Sequence, residues 1–550
     1  MMLKSRDSSF TLLGTLRLAA LALVLTGCEG DPGTSGPQGP AGPQGDPGTS
    51  QTVDPNLAPL EKAFAGLGGR QALQALNHFT LQTSGARYAA GEGFLPESAL
   101  RIANTYTATV TQDVRGDNLN IHYRRTLRFF GFDVPQEYSE IVRGNLGYLQ
   151  GSDNFFGGPN GANMLSDRMA AVRKQQRLLN PHLLLREVAA NGSLASDGGV
   201  ALLDGSLHHL VVLQDSVHPI TLYVNASTGR ISRLSTVESD PLHRDVPVDV
   251  HYVGWLPVAG GPLFPSQVYL SLNGNVVHLE SRQSVAVNGT LNPTLFDFPT
   301  GASPTYVAED AVRGATSHQF HMVFSSVGVP NDGLQTQVTP EELAPGVFHL
   351  RGGSHHSMAI VQSNGIILVE APLYQDRSEA LLRWVKATFP DRPITHVISS
   401  HFHEDHSAGL RTFVPEGARI VVGAPSADFF RHIFQAPSTV RADALSRKPT
   451  PANLLTVPVG GSVRFEDSTR PVVAYHVANS HAGDLLMVYL PNERLLFSSD
   501  IYSPGLPPFP PGPAELHRAI TETYRIQVST IAGAHGGTGP FSDLATAAGQ

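Results

Sequence analysis

Six consecutive residues, His401-Phe402-His403-Glu404-Asp405-His406, constrain this chain more than any other feature. They follow an apolar run, Ile394 to Ser400, that reads as a strand. Imidazole nitrogens and carboxylate oxygens are the ligands zinc takes where thiolates are lacking. Residues two apart in an extended loop project to one side, so His401 and His403 can reach one cation while Asp405 and His406 reach its neighbour. A solvated loop that holds histidines by accident is the plainer alternative, and random composition seldom gives this spacing. The chain carries 23 histidines and a single cysteine, Cys28, which excludes internal disulfides.

Further ligand candidates follow downstream. Val472 to His476 reads as a strand leading to Ser480-His481-Ala482-Gly483-Asp484. Leu485 to Leu490, a Pro491-Asn492 turn and Arg494 to Phe497 read as a hairpin ending in Ser498-Ser499-Asp500. Ile531 to Gly536 brings in His535. Each candidate stands just past a strand, where a rigid scaffold positions loops. Upstream, Met358 to Val361 and Ile366 to Val369 flank Asn364-Gly365 as a hairpin, followed by Glu370-Ala371-Pro372 and a helix through Ala380 to Phe389.

Taken in order, these landmarks over residues 341–550 resemble the metallo-β-lactamase superfamily. The resemblance implies a four-layer αββα sandwich with two metals at one edge of its sheets. It gives His401, His403 and His481 to the first metal, Asp405, His406 and His535 to the second, and Asp500 to both. Two Zn2+ are the default, with iron or manganese as alternatives. The activity implied is hydrolysis by a hydroxide bridging the cations, with Asp405 orienting it and passing a proton to the leaving group. Glu370 stands where the family usually has aspartate. Many β-lactam-cleaving members lack a carboxylate at the place of Asp500, so the substrate expected is an ester, thioester, lactone or phosphodiester, with β-lactams the lesser choice. Two other readings stay open: a mononuclear iron oxidoreductase of the same fold, and a non-catalytic envelope protein that binds lipid or another lipoprotein. Gly-x-Ser-x-Gly and phosphate-loop patterns are absent. His355, His356 and Tyr502 are candidates for substrate contact, and the loops Ala424 to Pro451 and Tyr502 to Pro513 for pocket walls. His396 and His476, within strands, read as packing residues.

A length of 550 residues predicts roughly three to four domain-sized units. Residues 1–27 read as a lipoprotein signal peptide: Lys4 and Arg6, the apolar stretch Leu18 to Leu25, then Leu25-Thr26-Gly27-Cys28, which resembles a lipobox and implies lipidation of Cys28. The apolar run is short of the roughly 20 residues a membrane helix needs, and Arg17 interrupts it. From Gly30 to Ser50 run seven Gly-X-Y triplets. Such strands can trimerise as a collagen-like helix, but a stiff Pro/Gly spacer over residues 28–55 is the preferred reading. The anchored protein would sit in the bacterial cell envelope, at the outer membrane or cell surface.

Residues 56–300 alternate like strands, for example at Ile220, Leu222, Val224 and at Val268, Leu270, Leu272. Asn273-Gly274 signals a tight hairpin, and a helix is expected from Ser166 as cap to Leu179. A mostly antiparallel, curved sheet with helices follows, and the stretch Val248 to Pro299 resembles the half-barrel of periplasmic lipoprotein carriers. That similarity implies an apolar face for acyl chains, against the plainer reading of a filled core. Residues 301–340, rich in Ser, Thr, Gly and Pro, read as a linker. The formal net charge of −9 gives no reason to expect a nucleic-acid partner.

Overall fold

Alternation builds the first half of the chain. Along Ile220–Asn225, and through the first nine residues of Arg244–Leu256, every second side chain is buried, the period of a strand with one covered face. In the computed structural model, which describes residues 52–129, 132–155, 157–328 and 336–550, thirteen such strands form one sheet, antiparallel at each pairing. The expectations for the signal peptide, Cys28 and the triplets fall outside the described residues. Sheet neighbours are sequence neighbours with one exception: His78–Ala89 pairs with Asn275–Val287, which joins two meanders edge to edge. Asn273 and Gly274 connect Leu272 to Asn275 with φ of 49° and 81°, as a type I′ turn requires.

Helices pack on this sheet. Pro59–Gly66, Arg70–Ala75 and Pro181–Ala190 bury Phe64, Leu73, Leu184 and Leu185 among Leu222, Leu234, Val248 and Leu270. Ser166–Leu179 buries Met169, Ala171 and Val172 among Leu81, Val110 and Ile121. Ser166 is the first residue of its helix and not the cap; its hydroxyl accepts from Val307 N at 2.8 Å.

The expected linker, residues 301–340, is corrected by two helices within it, Ala308–Thr316 and His318–Ser326, the second buried along its whole length. Gly314, which reads as a breaker, is there for close approach: a Cβ on it would stand 2.0 Å from the Asp167 carbonyl oxygen. His318 lies between Glu238 and Gln175, and Lys174 Nζ sits 2.9 Å from Glu238. The linker histidine is therefore part of a buried polar network.

Two further sheets follow. In the first, Thr339–Ala344, Val347–Arg351, Ser357–Gln362 and Gly365–Val369 run antiparallel, and Ile394–Ile398, Arg419–Gly423 and Asn453–Val457 continue in parallel. The second has six strands from Ser462–Phe465 to Thr538–Pro540. Ile360, Ile367 and Ile398 of the first share a core with Val472, Val488 and Phe497 of the second. Alternate residues such as Leu368 and Ile420, or Leu496 and Ile531, join a cluster holding the helical Leu381, Val385, Leu516 and Ile520. Helix side chains thus meet the faces turned away from the shared core. The helix expected at Ala380 to Phe389 begins earlier, spanning Gln375–Thr388. The turn placed at Asn364-Gly365 falls on Ser363-Asn364, because Gln362 pairs with Gly365.

Residues 51–550 make one contact unit, and the thirteen-stranded sheet is fastened beside the later ligand loops. Arg244 donates to Ser438 Oγ and the Arg441 carbonyl, and the Asp245 carboxylate accepts from Thr439 and Val440. Phe320 and Phe324 pack with Leu373 and Tyr374.

Candidate metal centre

The strand Ile394–Ile398 ends where a turn of helix, Glu404–Ser407, is about to begin. Between them the chain bends at Ser400 and Phe402, and this path separates the ligand candidates into two groups. His401, His403, His481 and Asp500 offer ligand atoms within 4.8 Å of one another, and so do His355, Asp405, His406 and His535. Nε2 of His401 and Nε2 of His481 stand 3.3 Å apart. Asp500 faces both groups. Its Oδ2 is 3.2 Å from His481 Nε2 and 3.9 Å from His401 Nε2, while Oδ1 is 2.9 Å from His406 Nε2 and 3.2 Å from His535 Nε2.

These residues fit a pair of cations. His403 Nδ1 and Asp405 Oδ1 are buried without a hydrogen-bond partner, a costly condition unless a cation completes them, and His406 Nε2 faces the carboxylates of Asp405 and Asp500. The opposite ring nitrogens are engaged: His401 Nδ1 with Ser400 Oγ at 2.8 Å, His406 Nδ1 with Glu370 Oε2 at 3.0 Å, and His535 Nδ1 with the Ser354 carbonyl at 2.8 Å. His403 Nε2 donates to the Gly93 carbonyl at 2.8 Å. Each such bond fixes the ring so that its other nitrogen points inward.

Electrostatics agree. Burial, reinforced by His481, lowers the His403 pKa to about 3, and burial with His535 does the same for His355. Both rings are neutral near pH 7, and His403 keeps the lone pair of Nδ1 for a cation. Burial opposes charge on His406, yet Asp405, Asp500 and Glu370 outweigh it and raise its pKa well above the ordinary value. Burial likewise pushes Asp500 up, and His406 leads the groups that hold it well below the carboxylate range. Positive charge at this point is what the surroundings demand, and cations can take the place of the proton.

Glu370 shows what the longer side chain does where aspartate is usual. Its Oε1 accepts from Ser400 N and its Oε2 from His406 Nδ1, both at 3.0 Å. Its backbone sits at φ +73°, a conformation that costs a non-glycine residue about 1–2 kcal/mol. Glu370→Ala is expected to weaken cation binding by roughly 10–100-fold, read by competition against a chromophoric chelator; unchanged affinity would show that His406 needs no such support.

A cavity of about 610 Å³ opens over the centre. Leu373, Tyr502, Leu506 and Phe509 line it, together with Ala89, Glu92, Arg101, Arg128 and Phe324 from the first half of the chain. The loop Ala424 to Pro451, expected as a wall, does not line it. Of the three substrate-contact candidates, His355 donates to Asp405 Oδ2 at 3.0 Å and belongs to the second ligand group. His356 ties loops together instead, accepting from Gly352 N and donating to the Gly536 carbonyl, though it still borders the cavity, as does Tyr502. His396 packs against Phe465, and His476 bonds the backbone of Gly460 and Gly483. Sequence reasoning missed Glu92 and Gly93, which lie over three hundred residues upstream of their partner.

Residues 350–535 match the family model described as Metallo-beta-lactamase superfamily. An (R)-specific secondary-alkylsulfatase from Pseudomonas sp. is 24% identical over 158 residues, 28% of this chain and 24% of that protein. The alpha subunit of a 2,4-dinitroanisole O-demethylase from Nocardioides sp. is 21% identical over 208 residues, 38% of this chain and 57% of that protein. The chain thus spans about a quarter of the first relative and just over half of the second. Among solved structures, a metallo-beta-lactamase from Pontibacter korlensis aligns at 16% identity and a TM-score of 0.31, covering 39% of this chain and 98% of that one. The DIM-1 metallo-beta-lactamase aligns at 15% and 0.31, covering 39% and 96%.

Proposed function

We propose, with the metallo-β-lactamase superfamily domain at residues 350–535 as premise, that this protein is a metal-dependent hydrolase acting on an ester-type bond in an anionic molecule with an apolar body. Esters, thioesters, lactones, phosphodiesters and sulfate esters fall within that class. The observation that carries the reading is Asp500, which faces both ligand groups at the base of the cavity. Two bound cations, zinc by default with iron or manganese as alternatives, would lower the pKa of a water between them and polarise the oxygen of the scissile bond.

The chain's own residues do the rest. His401, His403 and His481 would hold the first cation, and Asp405, His406 and His535 the second, with Asp500 shared. Asp405 is fixed through Oδ2 by His355 while its Oδ1 has no hydrogen-bond partner, which suits it to orient a polar reactant. Leu373, Leu506, Phe509 and Phe324 give the cavity apolar walls, and Arg101, Arg128 and Arg351 border it with positive charge, which favours anions. The alkylsulfatase relative, by its name, acts on such a molecule.

Metal content of the purified chain and turnover of an aryl ester, a thioester, a lactone, a phosphodiester, an alkyl sulfate and a chromogenic β-lactam test this. About two cations per chain and one class cleaved, with turnover abolished by chelation and restored by zinc, is the expected result. A folded chain with no cation and no turnover would overturn it.

A further inference from the structure

We propose that Glu92, on the connection between the strands His78–Ala89 and Arg101–Asp113 of the thirteen-stranded sheet, is a further ligand of the metal centre, added beside His403 and Asp405. The inference rests on reading the centre as a cation site, and it makes the ligand set span both halves of the chain.

Geometry supports it first. Glu92 Oε2 lies 3.7 Å from His403 Nδ1, the ring nitrogen that is buried without a hydrogen-bond partner. Glu92, His403 and Asp405 offer ligand atoms within 4.8 Å of one another. Zinc bonds of about 2.0–2.2 Å place tetrahedral ligand atoms roughly 3.3–3.6 Å apart, so the observed spacing is close to that of two atoms on one ion. The Glu92 side chain is 19% exposed and borders the cavity.

The position is also built. His403 Nε2 donates to the Gly93 carbonyl, and Gly483, two residues from His481, donates its N–H to the Phe94 carbonyl at 2.7 Å. Ser98 Oγ accepts from Leu95 N at 2.9 Å and closes the turn. Gly483 has no room for a side chain: a Cβ would stand 2.8 Å from Leu95 Cδ2 and 3.1 Å from Phe94 Cε1. Gly91, at φ +75°, supplies the left-handed step that leads into Glu92. The loop is therefore held by the two ligand-bearing segments themselves.

Charge gives the third reason. Glu92 and Asp405 offer their carboxylates to one place beside His403, and without a cation like charges so placed repel. Divalent cations reverse that balance. With two cations, Asp405 and Asp500 leave two positive charges to be offset, and Glu92 removes one of them.

The test compares the wild-type chain with Glu92→Gln, which keeps size but loses the ligand charge, and with Glu92→Asp, which draws the carboxylate back. Zinc affinities by chelator competition and the visible spectrum of the cobalt-loaded protein are the readouts. Glu92→Gln is expected to lose about 10-fold or more in affinity for one cation and to alter the cobalt bands, while the metal-free Tm is unchanged or higher. Glu92→Asp falls between the two and serves alone if the amide variant does not fold. Two cations bound by every variant with wild-type affinity and spectrum would overturn the inference and leave the hydrolase reading intact. A wild-type chain that takes up no cation would overturn both.

Discussion

Asp500→Asn is expected to lower kcat/KM for the substrate found to be turned over by about 10²–10³-fold and to reduce the cations retained per chain. One carboxylate turns Oδ1 toward His406 and His535 and Oδ2 toward His481, so it serves both ligand groups at once. The amide keeps that shape but loses the charge, and it presents an NH₂ group to one of two places where a cation belongs. Charge stabilisation by bound cations amounts to several kcal/mol in such reactions, and each 1.36 kcal/mol is tenfold in rate, which sets the size of the effect. Elemental analysis beside kinetics separates the two consequences. Turnover within a few-fold of wild type, with both cations kept, would mean that Asp500 does not link the two groups.

The ligand candidates were legible because local chemistry announces them. His401 to His406 combine unlike donors at a spacing that a bent segment and one helical turn convert into two directions. His481, Asp500 and His535 each follow a strand that is apolar on both faces, which is easy to recognise. Glu370 was legible as an acid in the right place, although its bond to His406 was not. The large sheet was legible in its alternation, but the joining of its two meanders through Phe79 and Val287 was not, since pairing over such a separation leaves no local mark. Residues 308–326 were misread because Gly314 and neighbouring Ser and Thr resemble a linker, whereas that glycine is required by contact with the Asp167 backbone. Glu92 was invisible for a related reason: Gly91-Glu92-Gly93 is an ordinary turn sequence, and only the folded chain sets it beside His403.

Arg168→Met is expected to destabilise the chain by about 3–5 kcal/mol. Arg168 Nη2 lies 3.0 Å from Glu140 Oε1 and 2.5 Å from Asp153 Oδ2, and all three side chains are nearly inaccessible to solvent. Removing one member of a buried ionic group leaves charge without compensation, which costs that much, whereas a well-packed apolar replacement of the whole group is often tolerated. The triple variant Arg168→Met, Glu140→Met, Asp153→Leu, which removes every charge and polar end of the group, is accordingly expected to recover part of the loss. Asp153 also sits at the edge of the cavity wall: its carbonyl accepts from Arg125, which donates as well to the Ser325 carbonyl, next to Phe324. The single variant should therefore raise KM more than it lowers kcat, with cation content unchanged, because the ligand loops are untouched. Denaturant unfolding of the two variants decides the matter. A single variant within 1 kcal/mol of wild type would mean that Glu140 and Asp153 find other compensation, and then the thirteen-stranded sheet would not depend on this arginine to hold the wall of the site.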